Sequence, residues 1–528
     1  MRLAPRYLVP ALVAAAALIC AAVPALRWGL ALALPLLAIA LWDFLQTGHS
    51  LRRNYPLLAR IRWMFEWLRP FLYSYVVESD LEGSPFNRDE RALVYARAKG
   101  NLDSHPMGTE LDVYSEEYEW LAHSIVPNGK AREPWRLQIG GPDCKQPYSS
   151  ALLNISAMSF GSLSARAIEA LNKGAALGGF AHDTGEGGIS RYHRMHGGDL
   201  IWEIGSGYFC CRAKDGSFDP GRFAENAADD QVKMIEVKLS QGAKPGHGGM
   251  LPGTKVTPEI AAAREIEAWQ DCISPPAHST FSTPIEMVEW LARLRELSGG
   301  KPVGIKLCVG KPHEIMAIGK AMLKTGIYPD FIVVDGAEGG TGAAPAELSN
   351  NVGAPLREGL VVMRNMLVGT GLKDRIRLGA SGKVHSGAGM AIAFSIGADW
   401  CNAARAFMFS LGCVQSMRCH IGDCPTGVAT QVSWRQQGLA VNDKAERVAR
   451  FQHETVEALR EIVVSMGLAD PWSIGPMDLF QRPNSTLAMP FDRVYDFLKP
   501  GELAESPDTT PYARAWKQAQ AESFERLG

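Results

Sequence analysis

The chain has 528 residues, 46% of them hydrophobic, which is room for one large domain with extensions or for two to three domains. Its 54 basic and 56 acidic residues leave a formal net charge of −2, with no clustered basic face for nucleic acid, so no nucleic-acid partner is expected. Ten cysteines in a chain this long do not make a disulfide framework, which belongs mainly to small secreted domains.

Residues 7–26, YLVPALVAAAALICAAVPAL, form an uncharged run of twenty, long enough to cross a bilayer. A second apolar run, LALALPLLAIALWDFL, covers residues 30–45. Arg2, Arg6 and the VPA at 23–25 resemble a cleavable signal peptide, but the second run argues for a transmembrane helical hairpin over residues 1–47. Arg2 and Arg6 flank one end, Arg52, Arg53, Arg60 and Arg62 follow the other, and only Arg27 sits in the turn. The positive-inside rule then places both ends, and the catalytic body, on the cytoplasmic side of the inner membrane, with Asp43 at the interface.

Residues 48–145 read as a juxtamembrane and entry segment. The stretch 46–75 is basic, aromatic and roughly amphipathic, as in a helix lying on a membrane surface or packed on a core. From residue 146 to about 470, short apolar runs ending in Gly, Ser, Asp or Lys alternate with helical stretches. The runs fall at 151–158, 179–188, 234–249, 271–276, 302–310, 331–342, 375–383 and 399–407. Eight such units predict a closed (β/α)8 TIM barrel of α/β class; a doubly wound sheet would want a G-x-G-x-x-G turn that its first strand lacks. Residues 471–528 are a C-terminal extension. The Gly-rich exits GASGKVHSG (379–387) and CNAARAF (401–407) stand where barrels often hold a phosphate, although each alone also reads as a tight turn.

After the eighth run, Cys413, Cys419 and Cys424 follow a C-x5-C-x4-C spacing, with Pro425 behind the last. Structural zinc asks for four ligands in close pairs, and a thioredoxin-type centre for C-x-x-C. Three thiolates suit a [3Fe-4S] cluster. A distant cysteine such as Cys211 or Cys401 would complete a [4Fe-4S] cluster, and buried structural cysteines are the plain alternative.

The segment CHIGDCPTGVATQ resembles the cluster segment of the glutamate synthase large subunit, in its FMN-binding synthase domain. The likeness continues through ISAMSFGSLS (155–164), DTGEGG (183–188), KLSQGAKPGHGG (238–249), KVTPEIA (255–261), ISPP (273–276), DGAEGGTGAAP (335–345) and GASGKVHSG, in the family's order. It implies FMN in a barrel, a [3Fe-4S] cluster on Cys413, Cys419 and Cys424, and 2-oxoglutarate as substrate. On the resemblance, Gln241 and Lys244 approach flavin and substrate, and Lys306 stands near the flavin N1–C2=O edge. Glu186 receives or shuttles protons if burial raises its pKa, or else fixes its loop. Ala157, Met158 and Ser159 contact the flavin ring, Gly340, Thr341 and Gly342 offer donors to a substrate carboxylate, Gly382, Ala404 and Arg405 hold the FMN phosphate, and Lys383 is a further cofactor-binding residue. Lys244, Lys306 and Lys383 are read as following strands three, five and seven.

The family's N-terminal glutaminase domain and C-terminal β-helix are not seen, and no pyridine-nucleotide fingerprint is visible. The expected activity is therefore that of a stand-alone, membrane-anchored oxidoreductase acting on CH–NH2 donors, making L-glutamate from 2-oxoglutarate and ammonia through 2-iminoglutarate. Electrons would come from a ferredoxin-like or other donor, and nitrogen from ammonia or a glutaminase partner. An N-methylglutamate synthase-like enzyme using methylamine, and a flavin/Fe-S electron-transfer protein, are the alternatives.

Overall fold

The computed structural model describes residues 5–128 and 134–528 and divides into two compact units, Met1–Arg88 and Asp89–Gly528.

In the first unit, helix α1 (Pro5–Ala22) and helix α2 (Leu30–Leu45) are joined by a 3-10 turn at Pro24–Gly29. The run 7–26 is thus not one helix: it ends at Ala22, and Pro24, which cannot donate to a continuing helix, begins the turn. The Tyr7 ring lies 5.8 Å from that of Phe44, and a side chain on Gly29 would meet Cys20 Sγ, so the two helices run antiparallel. Among the described residues one stretch, Pro24–Leu45, is long and apolar enough to cross a membrane by length and composition; Arg6–Ala22 is apolar but shorter. Arg2 lies outside the described residues. Asp43 is fully buried, its two oxygens accepting from the Arg60 guanidinium at 2.8 Å and one of them from the Leu57 N–H at 3.2 Å. That fork locks the end of α2 to the helix Leu58–Leu72, along which Ile61, Phe65 and Trp67 remain exposed.

The second unit is built around a closed barrel of eight parallel strands: β1 Leu153–Ile155, β2 His182–Asp183, β3 Leu200–Ile204, β4 Val232–Lys238, β5 Val303–Leu307, β6 Phe331–Asp335, β7 Arg377–Ser381 and β8 Trp400–Ala403. Each pairs with its chain neighbour, and β8 closes on β1 through Cys401↔Leu153 and Ala403↔Ile155. Strands this thoroughly buried read as near-continuous apolar runs, because helices cover their outer faces. Those helices begin where the sequence says they should: Ser164 caps Ala165–Gly178, Thr283 and Glu286 form a capping box for Pro284–Leu297, and Ser386 caps Gly387–Ile396. Gly379 on β7 has no side chain because the Trp400 ring fills its place, a Cβ there standing 2.5 Å from the indole.

One expected strand is wrong. DCISPP does not enter the barrel: Cys272–Ile273 pairs antiparallel with Met250–Leu251 in a separate two-stranded ribbon. The third barrel strand is LIWEI, residues 200–204. Pro275 and Pro276 have no N–H to give a ladder, whereas LIWEI has an unbroken set of donors and buries every residue. Lys244 therefore follows the fourth strand, not the third, and Lys306 lies within the fifth rather than after it.

The entry segment and the C-terminal extension share a sheet, Glu119–Leu121 pairing with Leu479–Asn484 and that strand with Leu487–Pro490. The long helix Val441–Ser465 packs against Ala165–Gly178, with Val448 against Gly174.

Candidate active site

The glycine-rich motifs leave the carboxyl ends of the strands, the end at which a parallel barrel gathers its functional groups, and the cysteine segment follows the helix Arg405–Leu411. β4 ends in Lys238, whose Nζ reaches Glu186 Oε2 of the β2 exit at 2.7 Å and donates to Gln241 Oε1 at 2.5 Å. Lys244, 2% exposed, donates to the Gly248 carbonyl at 2.7 Å. Glu186 and Gly249 approach so closely that a Cβ on Gly249 would lie 2.7 Å from the Glu186 carboxyl. Burial alone would raise the Glu186 carboxyl, but Lys238, then Lys244 and Arg264, outweigh it and hold it down to about 2. Glu186 is thus a fixed anion, and the raised pKa that a proton-delivering role asks for is absent. Burial lowers Lys244, against the pull of Glu186.

Arg264 closes this cluster from the helix Pro258–Arg264. It is 4% exposed and donates to Ser159 Oγ and the Phe160 carbonyl, both at 3.2 Å. Ser159, with Ala157 and Met158, forms the β1 exit, against which Gly185 and Gly187 lie with no room for a side chain. Lys238 and Arg264 were not singled out from the sequence. Lys238 stands in a quoted motif at the end of a strand, where its role could have been suspected; Arg264 lies in a helix and carries no such sign.

The β6 exit is held to the β4 exit by the Asp335 carboxylate, which accepts from the Gly242 N–H at 2.8 Å. A Cβ on Gly242 would stand 1.7 Å from the Gly336 carbonyl oxygen, so only glycine lets the two loops touch. Farther along, Gly340 abuts the Arg405 guanidinium, Thr341 is at the exposed tip, and Gly342 abuts Cys419. Gly382 sits against Leu356 and the Gly336 backbone, and Ala404 directly follows β8. Lys383 Nζ pairs with Glu90 at 3.1 Å, and the Arg405 guanidinium donates to the Glu338 carbonyl, so both cations expected at the cofactor already have protein partners.

Lys306 does not join the rim cluster. It is 3% exposed inside the barrel, where its ammonium bonds Glu203 and stands 3.0 Å from Glu236 and 3.7 Å from Asp183.

Cys413 and Cys424 are buried and Cys419 is half-buried; none of the ten cysteines is in a disulfide. Burial, with Cys419 and Cys424 adding to it, pushes the Cys413 thiol up to about 12, and burial with Cys424 raises Cys419. The loop is shaped by left-handed backbone at Gln415, Met417 and Gly422. It is anchored by Tyr95 OH, which donates to the Cys413 carbonyl at 2.5 Å, and by Lys255, which donates to the Cys419 carbonyl. Lys255, 5% exposed, faces Cys419 and Cys424 and was not expected from the sequence. Cys401, on β8, and Cys211 are both buried.

The model of the conserved region in glutamate synthase matches residues 142–469. The chain is 35% identical over 484 residues to the glutamate synthase large subunit-like protein YerD of Bacillus subtilis, covering 83% of this chain and 92% of that protein. It is 33% identical over 316 residues to an archaeal glutamate synthase [NADPH] of Archaeoglobus fulgidus, covering 59% of this chain and 58% of the relative. Among solved structures, a doubly substituted flavocytochrome b2 with pyruvate bound aligns over 83% of this chain and 92% of its own, at 12% identity and a TM-score of 0.39.

Proposed function

This chain belongs to the glutamate synthase family, and from that premise we propose that it reduces 2-iminoglutarate, formed from 2-oxoglutarate and ammonia, to L-glutamate with FMN and a [3Fe-4S] cluster. Membership supports the coarse statement, an oxidoreductase of the glutamate synthase type. The finer one rests on one observation: Lys238, Lys244 and Arg264 converge on Glu186 at the barrel mouth. Three cations against one carboxylate leave two positive charges, the complement of a dicarboxylate such as 2-oxoglutarate. A bound dianion would also work against the lowering that burial imposes on Lys244.

FMN, when bound, supplies hydride to the α-carbon of the imine. Ala157, Met158 and Ser159 line its place at the β1 exit. At Gly382, Lys383, Ala404 and Arg405 the donors to its phosphate are backbone N–H groups, since the Lys383 and Arg405 side chains are paired elsewhere. Gln241 is held by Lys238 beside the substrate cations, and Gly340, Thr341 and Gly342 face the same mouth from β6.

Cys413, Cys419 and Cys424 lie on one loop, Cys419 and Cys424 near enough to act on Cys413, and this set of three thiols with Lys255 beside it suits an iron–sulfur cluster. The [3Fe-4S] cluster, when bound there, passes electrons from a ferredoxin-like or other donor. Lys255 supplies positive charge beside Cys419 and Cys424, and at Cys419 it works against the rise that burial causes.

The two N-terminal helices are read as a membrane anchor, with Arg6 and Arg52, Arg53, Arg60 and Arg62 on the cytoplasmic side and the body with them.

The test gives the isolated chain 2-oxoglutarate and a reduced low-potential donor, then compares ammonia, methylamine, and glutamine with a glutaminase partner. Glutamate from ammonia is expected. Turnover with methylamine far above ammonia would make it an N-methylglutamate synthase. Failure of 2-oxoglutarate to perturb the flavin spectrum, with electron transfer intact, would make it an electron-transfer protein.

A further inference from the structure

Below the mouth, four charged side chains meet inside the barrel. Asp183 of β2, Glu203 of β3 and Glu236 of β4 present one oxygen each within 4.8 Å of one another, at 1%, 2% and 0% exposure. Such a trio can hold a divalent cation, but the Lys306 ammonium from β5 stands among them. It donates to Glu203 and lies at ion-pair distance from the other two.

One ammonium against three carboxylates leaves two negative charges if all are ionised, at a depth where water cannot help. The donors run out as well. Asp183 Oδ1 accepts from the Gly185 N–H at 2.9 Å, but Asp183 Oδ2 and Glu236 Oε2 have no hydrogen-bond donor, and Glu236 Oε1 has only the Lys306 ammonium at 3.0 Å, out of hydrogen-bond alignment. Two acceptor-only carboxylates in contact repel one another. A proton on one of them turns the contact into a hydrogen bond and removes one charge.

We infer that Asp183 and Glu236 share one proton through the neutral range, and that this proton-holding pair behind Lys306 sets the charge the barrel interior presents to an anionic substrate. The role toward substrate rests on the functional reading above; the shared proton does not. The other charged groups facing the pair are Lys238 of β4, engaged by Glu186, and Asp335 of β6, which adds negative charge beside Glu236. Burial raises both carboxyls, and Asp183 adds to the rise at Glu236. Glu236 lies two residues before Lys238 on the same strand, so loss of the proton places a new negative charge one layer beneath the cations of the mouth. Glu203 holds the Lys306 ammonium, and Glu236 acts through it as a positioning residue.

Infrared difference spectra of the full chain, titrated between about pH 6 and 9, read the carboxyl directly. The wild type should show a protonated-carboxyl band that disappears in Glu236→Gln and in Asp183→Asn but persists in Glu203→Gln. The Gln and Asn side chains keep the shape and supply a donor to the remaining carboxylate, so these variants should fold. Isothermal titration with 2-oxoglutarate reads the consequence: wild-type affinity should fall on the order of tenfold as the pair loses its proton, while Glu236→Gln should bind independently of pH over that range. Absence of the band from the wild type, or its survival in both Glu236→Gln and Asp183→Asn, would overturn the shared proton, and the wild-type spectrum decides this even if a variant fails to fold. The band together with no binding of 2-oxoglutarate at any pH would uphold the pair and overturn the substrate assignment.

Discussion

Replacing Lys238 by Met should destabilise the barrel mouth in a manner that acid reveals. Glu186 sits 2.7 Å from the Lys238 ammonium, and its carboxyl falls from an ordinary 4.5 to about 2. That drop, at about 1.4 kcal/mol per pH unit, corresponds to about 3.5 kcal/mol of folded-state stability. Lys238 is the leading source, with Lys244 and Arg264 behind it, so the substitution should remove about 2 kcal/mol of it. Because the folded pKa is depressed, this stability is present above about 4.5 and is lost as pH falls toward about 2. Guanidinium denaturation of wild type and Lys238→Met in the same detergent should therefore give midpoints far apart at neutral pH and converging as pH drops through that window. Curves separated by a constant amount down to the acid limit would mean that the ion pair does not set the Glu186 pKa, and the account of the mouth would fail.

Lys244→Ala should weaken 2-oxoglutarate binding about ten- to a hundredfold, the loss of one charge-assisted contact worth about 1.5–3 kcal/mol, as read by titration of the oxidised protein. Cys419→Ser should abolish the paramagnetic signal of the iron–sulfur centre in anaerobically purified protein while leaving bound flavin near its wild-type level; full iron retention would reject the ligand assignment. Deleting residues 1–47 should release a soluble, flavin-loaded body into the cytosolic fraction, and persistence in the membrane fraction would shift the anchor to the segment that follows.

Much of this molecule could be read along the chain. Alternation of short apolar runs with capped helices announces a parallel barrel, because strand burial and helix amphipathicity are properties of neighbours in sequence. The cysteine triplet and the glycine-rich exits are likewise local, and the family follows from their order. The third strand was misread because the long excursion between β4 and β5 carries apolar runs of its own. LIWEI and DCISPP differ in donor supply more than in hydropathy, and only pairing partners reveal which one enters the ladder.

What tertiary structure alone decided are the charges that face one another. Lys238 with Glu186, Arg264 with Ser159, and Lys255 with the cysteine loop join residues far apart in the chain. Lys306, expected at the flavin edge, has its ammonium among Glu203, Glu236 and Asp183, each on a different strand. Sequence pattern places a residue on a strand and on one of its faces. Whether a buried carboxylate finds a lysine, a proton or nothing depends on which strands closure brings side by side, since Coulomb energy and desolvation depend on distance through space rather than along the chain.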